Sequence, residues 1–175
     1  MITTTRVHRW WLGALGPVTA VGEESASSSE VQLHPAARRA LRRQLQAPGH
    51  LRGGLLFGQV QEDALHVTQV APAGYRWWQP DPLCGDERYA LGWMDALAAC
   101  TPGDIDWVGS WLAAPDSRPF SVAQGDRWVR RAAGMGVVDS LHPLVTVGWS
   151  EGRLDAVACR VVDGATHLLP VVFTP

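Results

Sequence analysis

Apolar residues in this chain follow two periods, one typical of helices and one typical of strands. In residues 36–46, 88–100 and 122–132 they recur every three or four positions, which predicts three helices. Shorter apolar or alternating runs between polar turns are typical of strands. They fall at residues 7–12, 31–33, 53–58, 65–70, 107–115, 144–149, 154–162 and 167–173.

Polar and glycine-containing segments separate these elements. Turn chemistry predicts hairpins at residues 61–63, 151–152 and 163–164, the last two as Glu-Gly and Asp-Gly. Residues 22–29 are rich in serine and have no apolar period, so they are predicted to be a linker. The predicted organisation is therefore an N-terminal strand and Ser-rich linker over residues 1–29, followed by a main domain over residues 30–175.

Composition restricts the class of protein. The chain has 175 residues, of which 46% are hydrophobic and 18% charged, and this is typical of a globular domain. A formal net charge of -2 argues against nucleic acid or an anionic membrane surface as a partner. The arginines of the first main-domain helix are interpreted as its solvated face; they are Arg38, Arg39, Arg42 and Arg43.

The cysteines bear on the cellular location. Cys84, Cys100 and Cys159 are odd in number and widely spaced, so they predict neither a disulfide framework nor a structural zinc site. A reduced, cytoplasmic location is the resulting prediction. The apolar run at residues 10–21 is interrupted by glycine and proline, which is unlike a secretory signal, and it is too short to span a bilayer.

The predicted strand, turn and helix at residues 107–132 contain the most distinctive motif of the chain. It reads Gly109-Ser110-Trp111-Leu112-Ala113-Ala114-Pro115, then Arg118-Pro119-Phe120-Ser121, then Gln124. This motif resembles that of the JAB/MPN (JAMM) family of metallo-isopeptidases. Active members carry Gly-x-x-His-x-His-Pro followed by a serine and an aspartate, and the two histidines and the aspartate bind zinc.

The resemblance extends over residues 30 to about 165, but this chain lacks the family's metal ligands. Gly109 and Pro115 match, and Gly53-Gly54 is similar to the family's Glu-x-Gly-Gly segment. The positions that correspond to functional residues are Leu51 at the general base, Leu112 and Ala114 at the two histidines, Ser121 at the serine and Gln124 at the aspartate.

The resemblance implies an α/β fold, a curved mixed β-sheet flanked by helices of the JAB/MPN, cytidine-deaminase-like type. It also implies a catalytically inactive domain, without metal or cofactor, that acts as a protein-binding or scaffold module. Members of the family that lack the metal pair with active members, or recognise ubiquitin-like proteins and conjugating enzymes. A protein partner or a homo-oligomer is therefore predicted.

The chemistry of the residues at these positions agrees with the absence of a zinc site that the resemblance implies. Side chains at i and i+2 of a strand share one face, so Leu112 and Ala114 point to the same side. A catalytic zinc needs about three protein ligands, and neither these two side chains nor the Gln124 amide binds zinc tightly. Leu51 cannot accept a proton, so general-base activation of water is excluded at that position as well.

Other interpretations stay open at this point. A peptidase of the same fold could use a displaced metal site near Asp116 and Asp126, or a hydrolytic triad of Ser121, His142 and Asp126. The concave site left without zinc, lined by Leu51, Leu112 and Trp111, could bind a small molecule. Alternatively, Leu112 and Ala114 could be ordinary core residues of an unrelated fold. The remaining candidate ligands are isolated along the sequence and are interpreted as surface or hydrogen-bonded histidines; they are His34, His50, His66 and His167.

Tryptophan is abundant, with nine residues in the chain. The pairs Trp10-Trp11 and Trp77-Trp78 fall outside the predicted core and lie beside Arg9 and Arg76. Aromatic residues and arginine are enriched at protein interfaces, so these pairs are predicted to form an interface. The alternative is that their rings cover the sheet as a satellite core.

Overall fold

The computed structural model describes residues 28–46, 52–72, 81–84, 86–101 and 105–175. Within these ranges the chain forms eight strands and three helices. The strands are β1 Glu30–Leu33, β2 Arg52–Gln61, β3 Ala64–Pro72, β4 Asp106–Ala113, β5 Leu144–Ser150, β6 Arg153–Val162, β7 Ala165–Leu169 and β8 Val171–Phe173; the helices are α1 Pro35–Leu45, α2 Glu87–Cys100 and α3 Val122–Gly134.

All eight strands belong to one mixed sheet, in the order β7-β6-β5-β4-β2-β3-β1-β8. The pairs β4/β5, β1/β3 and β1/β8 are parallel, and the other neighbours are antiparallel. β7 and β8 lie at opposite ends of this order, yet only Pro170 separates them along the chain. The sheet therefore curls until its two ends nearly meet, as in a barrel.

The predicted fold, a curved mixed sheet flanked by helices of the JAB/MPN, cytidine-deaminase-like type, is wrong. The structure is mostly sheet, and the eight strands form a nearly closed, barrel-like surface with three helices. The single last strand predicted at residues 167–173 is interrupted at Pro170, which has no N–H to continue a strand ladder. The Pro170 carbonyl oxygen instead accepts a hydrogen bond from the Val31 N–H at 2.9 Å, and β8 then pairs with β1.

The inner face of the curled sheet surrounds α1. The helix contributes Ala37, Leu41 and Leu45, the repeat that the sequence predicts, to a core made with strand side chains. Val31 of β1 and Leu169 of β7 belong to this same core although their strands are far apart in the sheet. Only a concave face brings such positions together, and each leucine buried there contributes about 1.5–3 kcal/mol.

The outer face carries the other two helices. Met94 and Leu97 of α2, with Val129 and Ala132 of α3, pack against the outward side chains of the central strands. Those strand residues are Leu55, Phe57, Trp107, Leu112, Leu144 and Cys159. The described residues thus form two hydrophobic cores, one on each side of the sheet.

Three two-residue hairpins confirm the predicted turns. The central residues Glu62–Asp63, Glu151–Gly152 and Asp163–Gly164 all have positive φ values, between 48° and 77°. Two consecutive positive φ values are the geometry of a type I′ turn, which matches the twist of the flanking strands. Local turn chemistry therefore sets the register of β2/β3, β5/β6 and β6/β7.

Two observations bear on the environment of the protein. None of the helices in the described part of the chain is long and apolar enough to cross a membrane. Cys84, Cys100 and Cys159 are all free thiols.

The predicted strand at residues 7–12 and the pairs Trp10-Trp11 and Trp77-Trp78 lie outside the described residues.

Candidate functional site

An open groove of about 520 Å³ lies where β4 ends and α3 begins. The loop that follows β4 forms one wall, and the first turns of α3 form the other. The lining combines prolines and aromatic rings with three charged side chains; it consists of Ala114, Pro115, Asp116, Arg118, Pro119, Phe120, Gln124, Arg127 and Trp128.

A buried arginine holds the base of this loop. Arg52, at the start of β2, donates hydrogen bonds to the Ala114 carbonyl oxygen at 2.7 Å and to the Ser117 hydroxyl at 2.8 Å. It also donates to the carbonyl oxygen of Gln44 at the C-terminal end of α1, where a positive charge is favourable. Burial lowers the pKa of Arg52, but a guanidinium remains protonated in proteins.

The buried Ser117 hydroxyl extends this network. It donates to the Leu45 carbonyl oxygen at 2.8 Å, so α1 and the loop after β4 share one set of hydrogen bonds. Ser117 has a φ of 58°, and its N–H bonds the Ala114 carbonyl oxygen at 3.0 Å. The turn that begins the groove wall is therefore fixed from the inner core.

A glycine of β5 allows the loop to lie directly on the sheet. A Cβ atom at Gly148 would come within 2.4 Å of the Pro119 nitrogen and 2.6 Å of the Arg118 carbonyl carbon. Next to it, the Trp149 N–H donates to the Ser117 carbonyl oxygen at 2.7 Å. The loop can adopt this position only because residue 148 has no side chain.

The other wall begins with a capping box. The Ser121 hydroxyl accepts a hydrogen bond from the Gln124 N–H, and the Gln124 side-chain oxygen accepts one from the Ser121 N–H at 3.0 Å. Both bonds satisfy N–H groups that the first turn of a helix leaves unpaired. Gln124 is therefore engaged in starting α3, although its side chain also borders the groove.

The structure brings together most of the positions singled out in the family-like motif. Leu112 is fully buried in the outer core beneath the groove, and Ala114 lines the groove floor. Ser121 and Gln124 form the capping box at the edge of the groove. Leu51 lies outside the described residues.

The groove carries a small positive charge. Its lining includes two arginines and one aspartate, a formal charge of +1. Arg118 forms a weak, exposed ion pair with Asp116 at 4.0 Å. Arg127 is exposed and makes no hydrogen bond or ion pair with any residue that the structure describes.

The aromatic part of the groove is held in place by a second arginine of α3. Arg131 lies over the Trp128 ring, 5.7 Å from its centroid, and its guanidinium donates to the Asp81 carboxylate. That hydrogen bond raises the pKa of Arg131. Trp128 and Phe120 remain only partly buried, so their rings are available at the groove surface.

The displaced metal site is not formed in the structure. Asp116 borders the groove, but Asp126 faces the opposite way, toward Arg130 at 2.7 Å and the Thr166 hydroxyl at 3.1 Å. The hydrogen bond from Arg130 lowers the pKa of Asp126. Within the described residues, no group of three or more histidine, cysteine or acidic side chains is arranged to hold a metal ion.

The hydrolytic triad is also not assembled. Ser121 caps α3 and Asp126 binds Arg130, whereas His142 pairs with Asp139 at 2.9 Å and stacks on Trp107 with ring centroids 4.3 Å apart. The three residues thus have separate partners.

Of two site features that the predictions above lack, the role of Arg52 and the capping box, only the capping box has a recognisable sequence pattern. The role of Arg52 depends on contacts with residues 62 and 65 positions away, and a single arginine before Gly-Gly has no diagnostic pattern. Ser121 and Gln124 do carry the Ser-x-x-Gln pattern of a capping box, which could have identified the helix start.

No protein-family profile and no curated protein matches the chain. Solved structures that resemble it include the solution structure of protein DSY2949 from Desulfitobacterium hafniense, which is 15% identical, with a TM-score of 0.60. The match covers 82% of this chain and 92% of that one. At this identity the likeness shows the fold alone. Fold and site together define a mixed, nearly closed sheet protein with an open aromatic groove.

Proposed function

We propose that this chain is a non-catalytic protein-binding domain whose groove accepts a short extended segment of a partner protein. The observation that carries the proposal is the lining itself. Trp128 and Phe120 present partly exposed rings beside two prolines, and Arg127 offers a guanidinium without a partner in the described residues. Tryptophan and arginine are the residue types that most often dominate binding energy at interfaces.

The groove is arranged for binding before a partner arrives. Trp128 is held by Arg131, which is itself held by Asp81, and the facing loop is fixed by Arg52. A preorganised surface loses less side-chain freedom on association and so binds more tightly for the same contacts. Among the described residues of the lining there is no histidine, cysteine or serine, which supports binding over catalysis by such a nucleophile.

The partner class follows from charge and from the sequence motif. A groove with a formal charge of +1 favours a segment with an acidic residue or a terminal carboxylate. The resemblance of residues 109–126 to JAB/MPN proteins supports a ubiquitin-like protein, through its C-terminal tail, as the partner. A cytoplasmic location is part of the proposal, supported by the three free thiols.

The test is a pair of charge-reversal variants. Arg127→Glu should weaken binding of a fluorescently labelled ubiquitin-like protein at least tenfold, measured by anisotropy. Arg39→Glu reverses an exposed charge on α1 that does not line the groove, and it should bind within twofold of the wild type. A ubiquitin-like protein without its last residues should not bind. Equal binding by the Arg127→Glu variant would contradict the proposal.

An active paralogue or a second copy of the chain is the other partner implied by the resemblance. Analytical ultracentrifugation of the wild type and of the Arg127→Glu variant distinguishes self-association through the groove from a monomer. A dimer that persists in the variant would place the self-association surface elsewhere.

A further inference from the structure

Two histidines that are 32 residues apart in the sequence meet at the surface of the sheet. Parallel pairing of β1 with β3 aligns Gln32 with His66, and His34 follows directly at the end of β1. The His34 Nε2 and His66 Nδ1 atoms are 3.1 Å apart, and the ring centroids are 5.4 Å apart. Both side chains are half-buried. Their strands, β1 and β3, lie near one end of the sheet order, whereas β4, which leads to the groove, lies in its middle.

This nitrogen–nitrogen separation is also that of two ligands on one metal ion. Imidazole nitrogens bind zinc at about 2.0–2.1 Å. Two such ligands at angles of about 90–110° are about 2.9–3.4 Å apart, by simple geometry from those bond lengths. The observed distance falls within this range, so a small rotation of the rings would turn a shared hydrogen bond into a chelate.

Backbone hydrogen bonds hold both histidines in place. The His34 N–H donates to the Val67 carbonyl oxygen at 3.0 Å, which ties the end of β1 to the residue after His66. His34 is also the N-cap residue of α1, and its side chain makes no capping hydrogen bond, so the ring is not needed to start the helix. A ligand pair held by two strands loses little freedom when an ion binds.

The polar side chains nearest the pair have partners of their own. The nearest basic side chain along α1, Arg38, is directed to the Thr174 carbonyl oxygen and lies 5.9 Å from the centroid of the Phe173 ring. Gln32 donates its amide to Glu30 at 2.6 Å, which leaves its side-chain oxygen as an acceptor next to His66 in the strand register.

We propose that His34 and His66 form a two-nitrogen site for a divalent transition-metal ion of the kind that prefers imidazole, such as Zn²⁺, Ni²⁺ or Cu²⁺. In the neutral pair one ring donates the shared hydrogen bond from its facing nitrogen. On metal binding that ring changes tautomer: the facing nitrogen gives its proton to water and the other ring nitrogen takes one up, so both facing lone pairs reach the ion and each ring stays neutral. Within the described residues no third histidine, cysteine or acidic group joins them, so water or the Gln32 oxygen completes the coordination.

The first test uses Zn²⁺ alone, titrated into the full chain and followed by calorimetry. One ion per chain should bind, and His34→Gln and His66→Gln should each lower the affinity at least tenfold. His167→Gln changes a single exposed histidine of β7, and Cys100→Ser an exposed thiol; both should bind as the wild type does. Unfolding curves establish that each variant is folded.

The second test needs no substitution. Zn²⁺ should protect His34 and His66 together from modification by diethyl pyrocarbonate, as read by mass spectrometry of the digested protein, while His167 stays reactive. The proposal is overturned if no saturable binding occurs, if only one of the two variants loses affinity, or if Zn²⁺ protects neither ring.

Discussion

The Arg52 guanidinium donates a hydrogen bond of 2.7 Å to the carbonyl oxygen of Ala114, 62 residues later in the chain. This bond connects the first residue of β2 with the end of β4 and, through Ser117, with the end of α1. The groove floor therefore depends on a charge buried in the interior of the protein. Because these hydrogen bonds connect β2, β4 and α1, loss of the Arg52 side chain should affect both the stability of the fold and the shape of the groove.

Replacing Arg52 with Met should lower the free energy of unfolding by about 3 kcal/mol. The change removes the charged donor of three hydrogen bonds, to the Ala114 and Gln44 carbonyl oxygens and to the Ser117 hydroxyl, and such bonds contribute about 1.5–3 kcal/mol each. The net loss is smaller than their sum, because the Ala114 oxygen keeps the Ser117 N–H and because the cost of burying the guanidinium charge is no longer present. Urea denaturation measures the loss. Arg39→Met, on the exposed face of α1, should stay within about 0.5 kcal/mol.

Arg52→Lys serves to separate charge from geometry in the same network. An ammonium keeps the charge but lacks the planar fork that reaches several acceptors at once, so it should recover less than half of the stability. Full recovery would show that charge alone explains the role of residue 52.

Gly148→Ala should disturb the groove. The new methyl group would meet the Pro119 nitrogen at 2.4 Å, so the loop must move, at a cost of about 1–3 kcal/mol in unfolding free energy. Binding to the partner should weaken as the loop is displaced. Gly125→Ala is the matched control, because nothing lies within 4 Å of that position in α3, and it should stabilise the protein by about 0.5–1 kcal/mol.

Asp126 should make stability depend on acid pH. Because Arg130 holds the pKa of Asp126 below its ordinary value, the carboxylate stabilises the fold above its unfolded pKa of about 3.9. That contribution is lost as the pH falls through the lower pKa of the folded protein. Asp126→Asn should therefore melt at a lower temperature than the wild type at neutral pH, and the difference should disappear at strongly acid pH. An equal difference at both pH values would rule out the ion pair as its cause.

The tryptophan pairs carry a separate prediction. If Trp77 and Trp78 form an interface, replacing both with Ala should change the unfolding free energy by no more than about 1 kcal/mol while partner capture or self-association is lost. Thermal melts and pull-down assays measure the two effects. Unfolding of the double variant would instead assign the rings to the core.

Sequence patterns alone determined the local elements of this protein. The helix at Pro35–Leu45 follows from apolar residues repeated every four positions, and the turns at Glu151–Gly152 and Asp163–Gly164 follow from residues that tolerate positive φ. Such features depend on neighbours within a few positions, so a linear pattern contains the required information.

Tertiary structure decided how these elements combine. The family-like motif predicts helices flanking a curved sheet, but the break at Pro170 moves the chain from one end of the sheet to the other and nearly closes it. Strand pairing over long sequence separations also places His34 against His66, although each histidine is isolated in the sequence. Strand order and register depend on the sum of many distant contacts, and no local period records them.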